Sequence, residues 1–177
     1  NPKKIIQDGK SINNNSLELI HQIKNLSEGN YLHEIANSST IDMCVGIGCY
    51  PEKHAFSNDF DQEIDLLKQK IAAGASYAVN QMFFENDKYF AFVDRCRKEN
   101  ITIPIIPGIK ILDKPRQIDI LPKIFDIKLP DELRNEAVEN IEHIQEVGTR
   151  WAIKQSEELI NAGVPIIHYY LMNDTSC

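Results

Sequence analysis

The fold is decided by residues 41–54, which read IDMCVGIGCYPEKH. In the first half of this segment, large apolar residues alternate with small or polar ones, which is typical of a strand with one bulky and one sparse face. Tyr50, Glu52, Lys53 and His54 follow the strand at once, so aromatic, acidic, basic and titratable side chains come directly after its end. Parallel α/β proteins bind ligands at the carboxyl ends of their strands. The segment therefore predicts a binding site in this loop.

Strand and helix patterns alternate along the rest of the chain. The next helix has apolar residues at i, i+4, i+7 and i+11 from Phe60, and Gly74 stands where a glycine commonly ends a helix. The later predicted elements are, in order, a strand over 77–82, a helix over about 87–98, a strand over 103–107, broken helices over 114–129, a helical region over 131–161 divided near Gly148, and a strand over 164–170.

Strand–helix units repeated in this way imply a parallel sheet with right-handed crossovers. Four strands are half of the eight that close an α/β barrel. We predict one partial barrel domain over 1–177, in which 41–177 carry the repeats and 1–40 form a weakly defined opening segment with one helix. The alternative is an open doubly wound sheet, although no glycine-rich dinucleotide fingerprint follows any of the predicted strands.

Composition limits the possible functions. With 42% hydrophobic and 25% charged residues the chain has the make-up of a soluble globular protein, and no apolar run approaches the roughly 20 residues of a membrane span. A formal net charge of −7 argues against a general nucleic-acid binder, because phosphate contacts need a basic surface. The four cysteines lack CxxC or CxxH spacing, so we expect reduced thiols in a cytoplasmic protein and no metal site.

Five short motifs occur in a fixed order along the chain: YPEKH at 50–54, KQKIAAGA at 68–75, QMFF at 81–84, IIPGI at 105–109 and HYY at 168–170. Together they resemble methylenetetrahydrofolate reductases, over the C-terminal half of the catalytic domain. The resemblance implies a (β/α)8 barrel with bound FAD. It also implies reduction of 5,10-methylenetetrahydrofolate to 5-methyltetrahydrofolate by NAD(P)H, in one-carbon and methionine metabolism.

The resemblance also implies which side chains contact FAD, namely Tyr50, His54, Glu63, Gln69 and Lys70. Their chemistry suits this role, since a tyrosine can stack on or hydrogen-bond a planar ligand, and a histidine can donate to a phosphate or ribose. Glu63 and Lys70 lie two helical turns apart on one face. The alternative interpretation is an ordinary loop tyrosine, a solvated histidine and a solvated charged helix face.

For the substrate, the resemblance implies contacts from Gln81, Gln117 and Leu121. An amide suits the donor and acceptor edge of a pterin, although a structurally satisfied amide at a strand end is the alternative for Gln81. Leu121 falls where some members have a stacking phenylalanine, so it can supply only apolar contact. Asp174 replaces a family arginine near the substrate tail, and His168 is predicted to be a core histidine.

The resemblance places the proton-donating glutamate and a flavin-side aspartate, in an Arg-Gly-Asp segment, in the other half of the domain. Neither segment occurs in the 177 residues, so we expect no catalytic residue here and no turnover by the chain alone. We expect a folate ligand, and either a complementary N-terminal half or homo-oligomerisation, because a half-barrel leaves two unpaired sheet edges. Two alternatives stay open: a non-catalytic fragment or subunit that binds FAD weakly, and a flavin-free barrel enzyme acting on a pterin or phosphate ester.

Overall fold

The computed structural model describes residues 13–31, 37–52 and 60–171. These residues contain one parallel sheet with the strand order β1-β2-β3-β4. A doubly wound sheet reverses its strand order at a switch point, whereas a barrel adds strands in the order of the sequence. The observed order therefore confirms the predicted barrel half. The strands are β1 (Gly46–Cys49), β2 (Tyr77–Met82), β3 (Ile105–Ile109) and β4 (His168–Tyr169).

Helices precede the sheet and connect its strands. They are α1 (Ser16–Ser27), α2 (Phe60–Ala72), α3 (Asn86–Lys98), α4 (Gln117–Phe125), α5 (Asp131–Glu139), a 3-10 turn (Ile141–His143) and α6 (Ile144–Asn161). Asn15 caps α1 by accepting a hydrogen bond from the backbone N of Glu18 at 2.9 Å. Gly74, with φ +118°, adopts the positive φ that glycine allows just after α2. Among the described helices, none has the length and apolar character that crossing a membrane requires.

Two groups of buried side chains hold the elements together. The first core joins the sheet to α2, α3 and α6, and the second lies under α4, α5 and the start of α6. Both consist mainly of aliphatic and aromatic residues, whose burial is the main favourable term in folding. The first core includes Ile47, Ile64, Phe92 and Leu159, and the second includes Met82, Phe84, Leu112, Leu133 and Val147.

The helical region after residue 131 does not divide where the sequence predicted. It is interrupted at Asn140–His143, whereas Gly148 lies inside α6. At Gly148 the helix meets the backbone of Leu112, and an added Cβ would lie 2.7 Å from the Leu112 carbonyl carbon and 2.8 Å from its nitrogen. The glycine is therefore explained by close packing and not by a helix end. The prediction of a break at Gly148 was wrong.

The outer strands are shorter than predicted. β1 begins at Gly46, because the residues ahead of it have no ladder partner among those described. Ile41 is 52% exposed. β4 comprises His168 and Tyr169 alone, which pair with the end of β3. Both are exposed, so the prediction of a core histidine at position 168 was wrong. Its ring instead packs edge-on against that of Tyr170, at 4.6 Å between centroids.

Candidate functional site

A small cleft lies where β1 ends against α2. Tyr50 directly follows β1, while Glu63 and Lys70 lie two turns apart on α2 and so share one side of that helix. All three line the cleft, together with Gly48 and Phe92. The structure thus brings together three of the side chains for which the resemblance implies cofactor contact.

Burial changes the acid–base behaviour of this cleft. The pKa of the Lys70 ammonium is lowered, mainly by burial, and the Glu63 carboxylate acts in the opposite direction. The pKa of the Tyr50 phenol is raised, first by burial and then by the charge of the nearby Glu63 carboxylate. Tyr50 therefore remains a neutral hydrogen-bond donor at pH 7, and the ammonium form of Lys70 has reduced hydration. Such a cation gains more from an anionic ligand than a fully solvated one.

Gln69, a fourth predicted cofactor contact, is not in the cleft. It is exposed on α2, and His54 lies outside the described residues. The nearby Lys68 is bound by the carboxylate of Glu99 at 2.8 Å. Among the described residues that line the cleft, Lys70 is the only cation.

β2 is irregular at Gln81, the first predicted substrate contact. Val79 pairs with Ile106 and Met82 with Gly108, so three steps along β2 match two along β3, as in a β-bulge. Gln81 is half-buried, and its Oε1 accepts a hydrogen bond from the backbone N of Met82 at 3.0 Å. Its Nε2 has no hydrogen-bond partner among the described residues. The amide N–H groups of Gln81 are therefore what the side chain offers to a ligand.

Gln117, at the start of α4, is oriented in the same way. Its Oε1 accepts hydrogen bonds from the backbone N of Asp113 at 2.9 Å and of Lys114 at 3.2 Å. The loop is further held by a buried ion pair between Lys110 and Asp113 at 3.3 Å, which sequence reasoning did not identify. Leu121 is 3% exposed and packs in the second core. Leu121 is therefore not among the predicted contacts that the structure exposes to a ligand.

Sequence reasoning also missed Asn80, which is fully buried inside β2. Its Oδ1 accepts a hydrogen bond from the Cys49 thiol at 2.6 Å, and its backbone O accepts one from the Tyr170 hydroxyl at 2.9 Å. Asn80 therefore connects β1, β2 and the residue after β4. A signal was present, because an asparagine inside an apolar strand must find partners or lose free energy.

The loop after β1 is anchored by Glu52. Its Oε2 accepts a hydrogen bond from the backbone N of Lys128 at 3.2 Å, across the connection between α4 and α5. Burial raises the pKa of this carboxyl group. In the part of the chain that the structure describes, no group of three or more His, Cys, Asp or Glu side chains is placed to hold a metal ion.

Comparison with known proteins extends the motif resemblance to nearly the whole chain. The family profile described as methylenetetrahydrofolate reductase matches residues 5–177. Methylenetetrahydrofolate reductase 1 of Schizosaccharomyces pombe is 32% identical over 135 residues, which cover 75% of this chain and 22% of that protein. The 5,10-methylenetetrahydrofolate reductase of Buchnera aphidicola from Schizaphis graminum is 33% identical over 135 residues, which cover 75% of this chain and 46% of the relative.

A probable methylenetetrahydrofolate reductase (NADPH) of Caenorhabditis elegans is 32% identical over 162 residues, which cover 89% of this chain and 24% of that protein. A solved Clostridium thermocellum protein that binds 5-methyl-5,6,7,8-tetrahydrofolic acid is 18% identical, with a TM-score of 0.48, and the match covers 72% of this chain and 46% of that chain. The chain thus spans less than half the length of each of these relatives. Because the family profile covers almost all of its residues, the chain belongs to the methylenetetrahydrofolate reductase family.

Proposed function

We propose that this chain forms the FAD-binding and folate-binding half of a methylenetetrahydrofolate reductase. The reaction is the reduction of 5,10-methylenetetrahydrofolate to 5-methyltetrahydrofolate with NAD(P)H, as part of one-carbon and methionine metabolism. The observation that carries the proposal is the half-buried Lys70 beside Tyr50, in the cleft at the carboxyl end of β1. Family membership supports it, and so do the amide N–H groups of Gln81 and Gln117, which have no partner among the described residues.

The side chains of the cleft have the chemistry to contact part of a flavin cofactor, although the cleft itself, with a volume of about 10 Å³, is too small to enclose one. A Cβ added at Gly48 would meet no atom within 4 Å, so the sheet is open there, beside the Tyr50 ring. Tyr50 would stack on or hydrogen-bond the cofactor, Lys70 would hold its phosphates and Glu63 would accept from its hydroxyl groups. When bound, FAD supplies the hydride-transfer chemistry, and the protein orients each partner against it.

The two glutamines limit how a pterin would be bound. Gln81 and Gln117 each use Oε1 to accept backbone hydrogen bonds, so both side chains present N–H donors. Donors of this kind bind the acceptor atoms of a pterin edge. We therefore propose that both side chains hold the folate through its acceptor atoms. The buried Lys110–Asp113 pair keeps Gln117 in place by fixing its loop.

Substitution of Lys70 by alanine tests the flavin site. We expect Lys70→Ala to weaken FAD binding about tenfold at low ionic strength, the size of one lost charge-assisted hydrogen bond. The loss should shrink as salt is added, because screening weakens the contact in the wild-type protein. Quenching of flavin fluorescence across a salt series measures both effects.

Lys68→Ala is the matched control, because Lys68 lies on the same helix but is bound by Glu99 outside the cleft. It should leave FAD affinity unchanged. Equal affinities for wild type and Lys70→Ala at all salt concentrations would remove Lys70 from the site. A wild-type chain that shows no flavin absorption band after loading with FAD would contradict the proposal itself.

We further propose that turnover requires a complementary half, which would also cover the outer edges of β1 and β4. The basis is the family resemblance, which places the catalytic carboxyl groups outside the segment that these 177 residues match. We expect the 177-residue chain alone to show no NADH–menadione or NADH–methylenetetrahydrofolate activity in steady-state assays. Normal turnover with folate would contradict this expectation.

A further inference from the structure

Two glutamates lie at the same edge of the sheet, just beyond the ends of neighbouring strands. Glu52 comes three residues after the end of β1, and Glu85 comes three residues after the end of β2. Because β1 and β2 are paired and parallel, both residues belong to the carboxyl edge of the sheet. Neither is among the residues for which the family resemblance implies a ligand contact.

One carboxylate oxygen of each glutamate is buried without a hydrogen-bond donor. These oxygens are Oε1 of Glu52 and Oε2 of Glu85. In the part of the chain that the structure describes, no Lys, Arg or His side chain forms an ion pair with either residue. An ionised oxygen that is buried without a donor costs free energy. Both oxygens would be satisfied if one carboxyl group carried a proton and donated it to the other.

The surroundings of Glu52 favour it as the protonated partner. Its Oε2 accepts the hydrogen bond from the backbone N of Lys128, so Oε1 is the oxygen that remains for a proton. Burial raises the pKa of Glu52, and the carboxylate of Glu85 acts in the same direction. Lys128, through its backbone N–H and its charge, and Lys88 on α3 act in the opposite direction.

The position of Glu85 favours the charged form of its carboxyl group. Glu85 is the N-cap residue of α3, where the helix dipole stabilises a negative charge. Its side chain makes no capping hydrogen bond, so the carboxylate does not bind the first backbone N–H groups of the helix. Glu85 is therefore suited to accept a hydrogen bond from another group.

We propose that Glu52 and Glu85 share one proton, with the Oε1–H group of Glu52 donating to Oε2 of Glu85. The proton is taken up from solvent, and no other bond is made or broken. The hydrogen bond would join residues 50–52 to the start of α3, while Oε2 of Glu52 stays bound to Lys128. Loss of the proton would leave two negative charges facing each other at a buried position. The pair would thus make the attachment of residues 50–52 sensitive to pH, independently of the flavin and folate sites.

The shared proton predicts the direction in which stability changes with pH. Because the pKa of Glu52 is raised in the folded state, the folded chain keeps a proton that the unfolded chain has already released. The stabilisation is complete below the usual pKa of a glutamate and is lost as the pH rises through the raised value. Urea denaturation of the full chain at a series of pH values measures this loss. Histidines titrate in an overlapping range, so the test compares variants that have the same histidines.

Glutamine imitates the protonated partner, because its amide donates an N–H where the carboxylic acid donates its proton. We expect Glu52→Gln and Glu85→Gln each to be more stable than the wild type once the pH exceeds the raised pKa. While the pH rises through this range, the unfolding constant of the wild type should grow about tenfold per pH unit relative to either variant, the slope for one proton. The double variant should gain no more than either single variant, because one substitution already removes the repulsion.

Glu132→Gln is the matched control, because it removes one negative charge from an exposed position on α5. Its stability relative to the wild type should not change with pH in this range. Carbon-13 NMR gives a second readout, in which the Glu52 carboxyl group should titrate at lower pH in Glu85→Gln than in the wild type. If Glu52→Gln does not fold, Glu85→Gln and this titration decide.

Three results would overturn the proposal. The first is a stability difference between wild type and the two variants that does not depend on pH. The second is an additive gain in the double variant, which would mean that the two carboxyl groups titrate independently. The third is an equal, pH-dependent gain in Glu132→Gln, which would mean that only the net charge of the chain matters.

Discussion

Gly148→Ala is expected to lower the free energy of unfolding by about 3 kcal/mol, which is large for a single methyl group. The added Cβ would collide with the carbonyl carbon and nitrogen of Leu112, both of which are backbone atoms. A side chain could rotate away, but this backbone can yield only if α6 moves away from the segment after β3. Urea denaturation followed by circular dichroism measures the change.

The sign of this effect separates packing from helix propensity. Gly148 lies inside α6, where alanine would stabilise an unconstrained helix by about 1 kcal/mol over glycine. A gain in stability would therefore show that α6 does not press on Leu112 as described. Gly48→Ala is the matched control for stability, since its Cβ would meet no atom within 4 Å. It should change the free energy of unfolding by less than about 1 kcal/mol.

Much of the architecture could be predicted because local signals and packing agree. The alternation of strand and helix patterns gave the parallel order of the sheet, and Gly74 marked the end of α2. The prediction failed where a residue is explained by its contact with another residue that is distant in the sequence. Gly148 looks like a helix break in sequence, and only its approach to Leu112, 36 positions earlier, explains it. Sequence periodicity carries no information on such contacts.

The candidate site also has a part that could be predicted from the sequence and a part that depends on contacts between distant residues. The family resemblance implied that Tyr50, Glu63 and Lys70 share a site. Their convergence agrees with a strand–helix unit, in which the strand end and the face of the following helix are neighbours. The orientation of Gln81 could not be predicted, since it depends on a bulge that exists only once β2 pairs with β3. The hydrogen bond between Gln155 and Asn86 could not be predicted either, because these residues are 69 positions apart.

If the proposed complete reductase is assembled, Gln81→Leu is expected to weaken its folate binding by about 1–3 kcal/mol, the usual penalty for an unpaired polar partner. The substitution roughly conserves volume and removes the amide donors, which have no partner in the part of the chain that the structure describes. Flavin reduction by NAD(P)H should change much less, because it shares the flavin but not this amide. Stopped-flow measurement of the two half-reactions tests both statements separately.

Leucine also removes the Oε1 that binds the backbone N of Met82, so loss of the bulge would be a competing explanation. Gln81→Glu separates the two causes, because a carboxylate keeps an acceptor for Met82 N but has no N–H to donate at pH 7. If Gln81 binds the folate as a donor, both variants should lose folate affinity and keep flavin reduction. If leucine alone is impaired, and slows both half-reactions equally, then Gln81 supports the bulge and does not contact the substrate. Retention of folate affinity by Gln81→Glu would contradict the donor role. The function of the Gln81 amide would then be to support the bulge in β2.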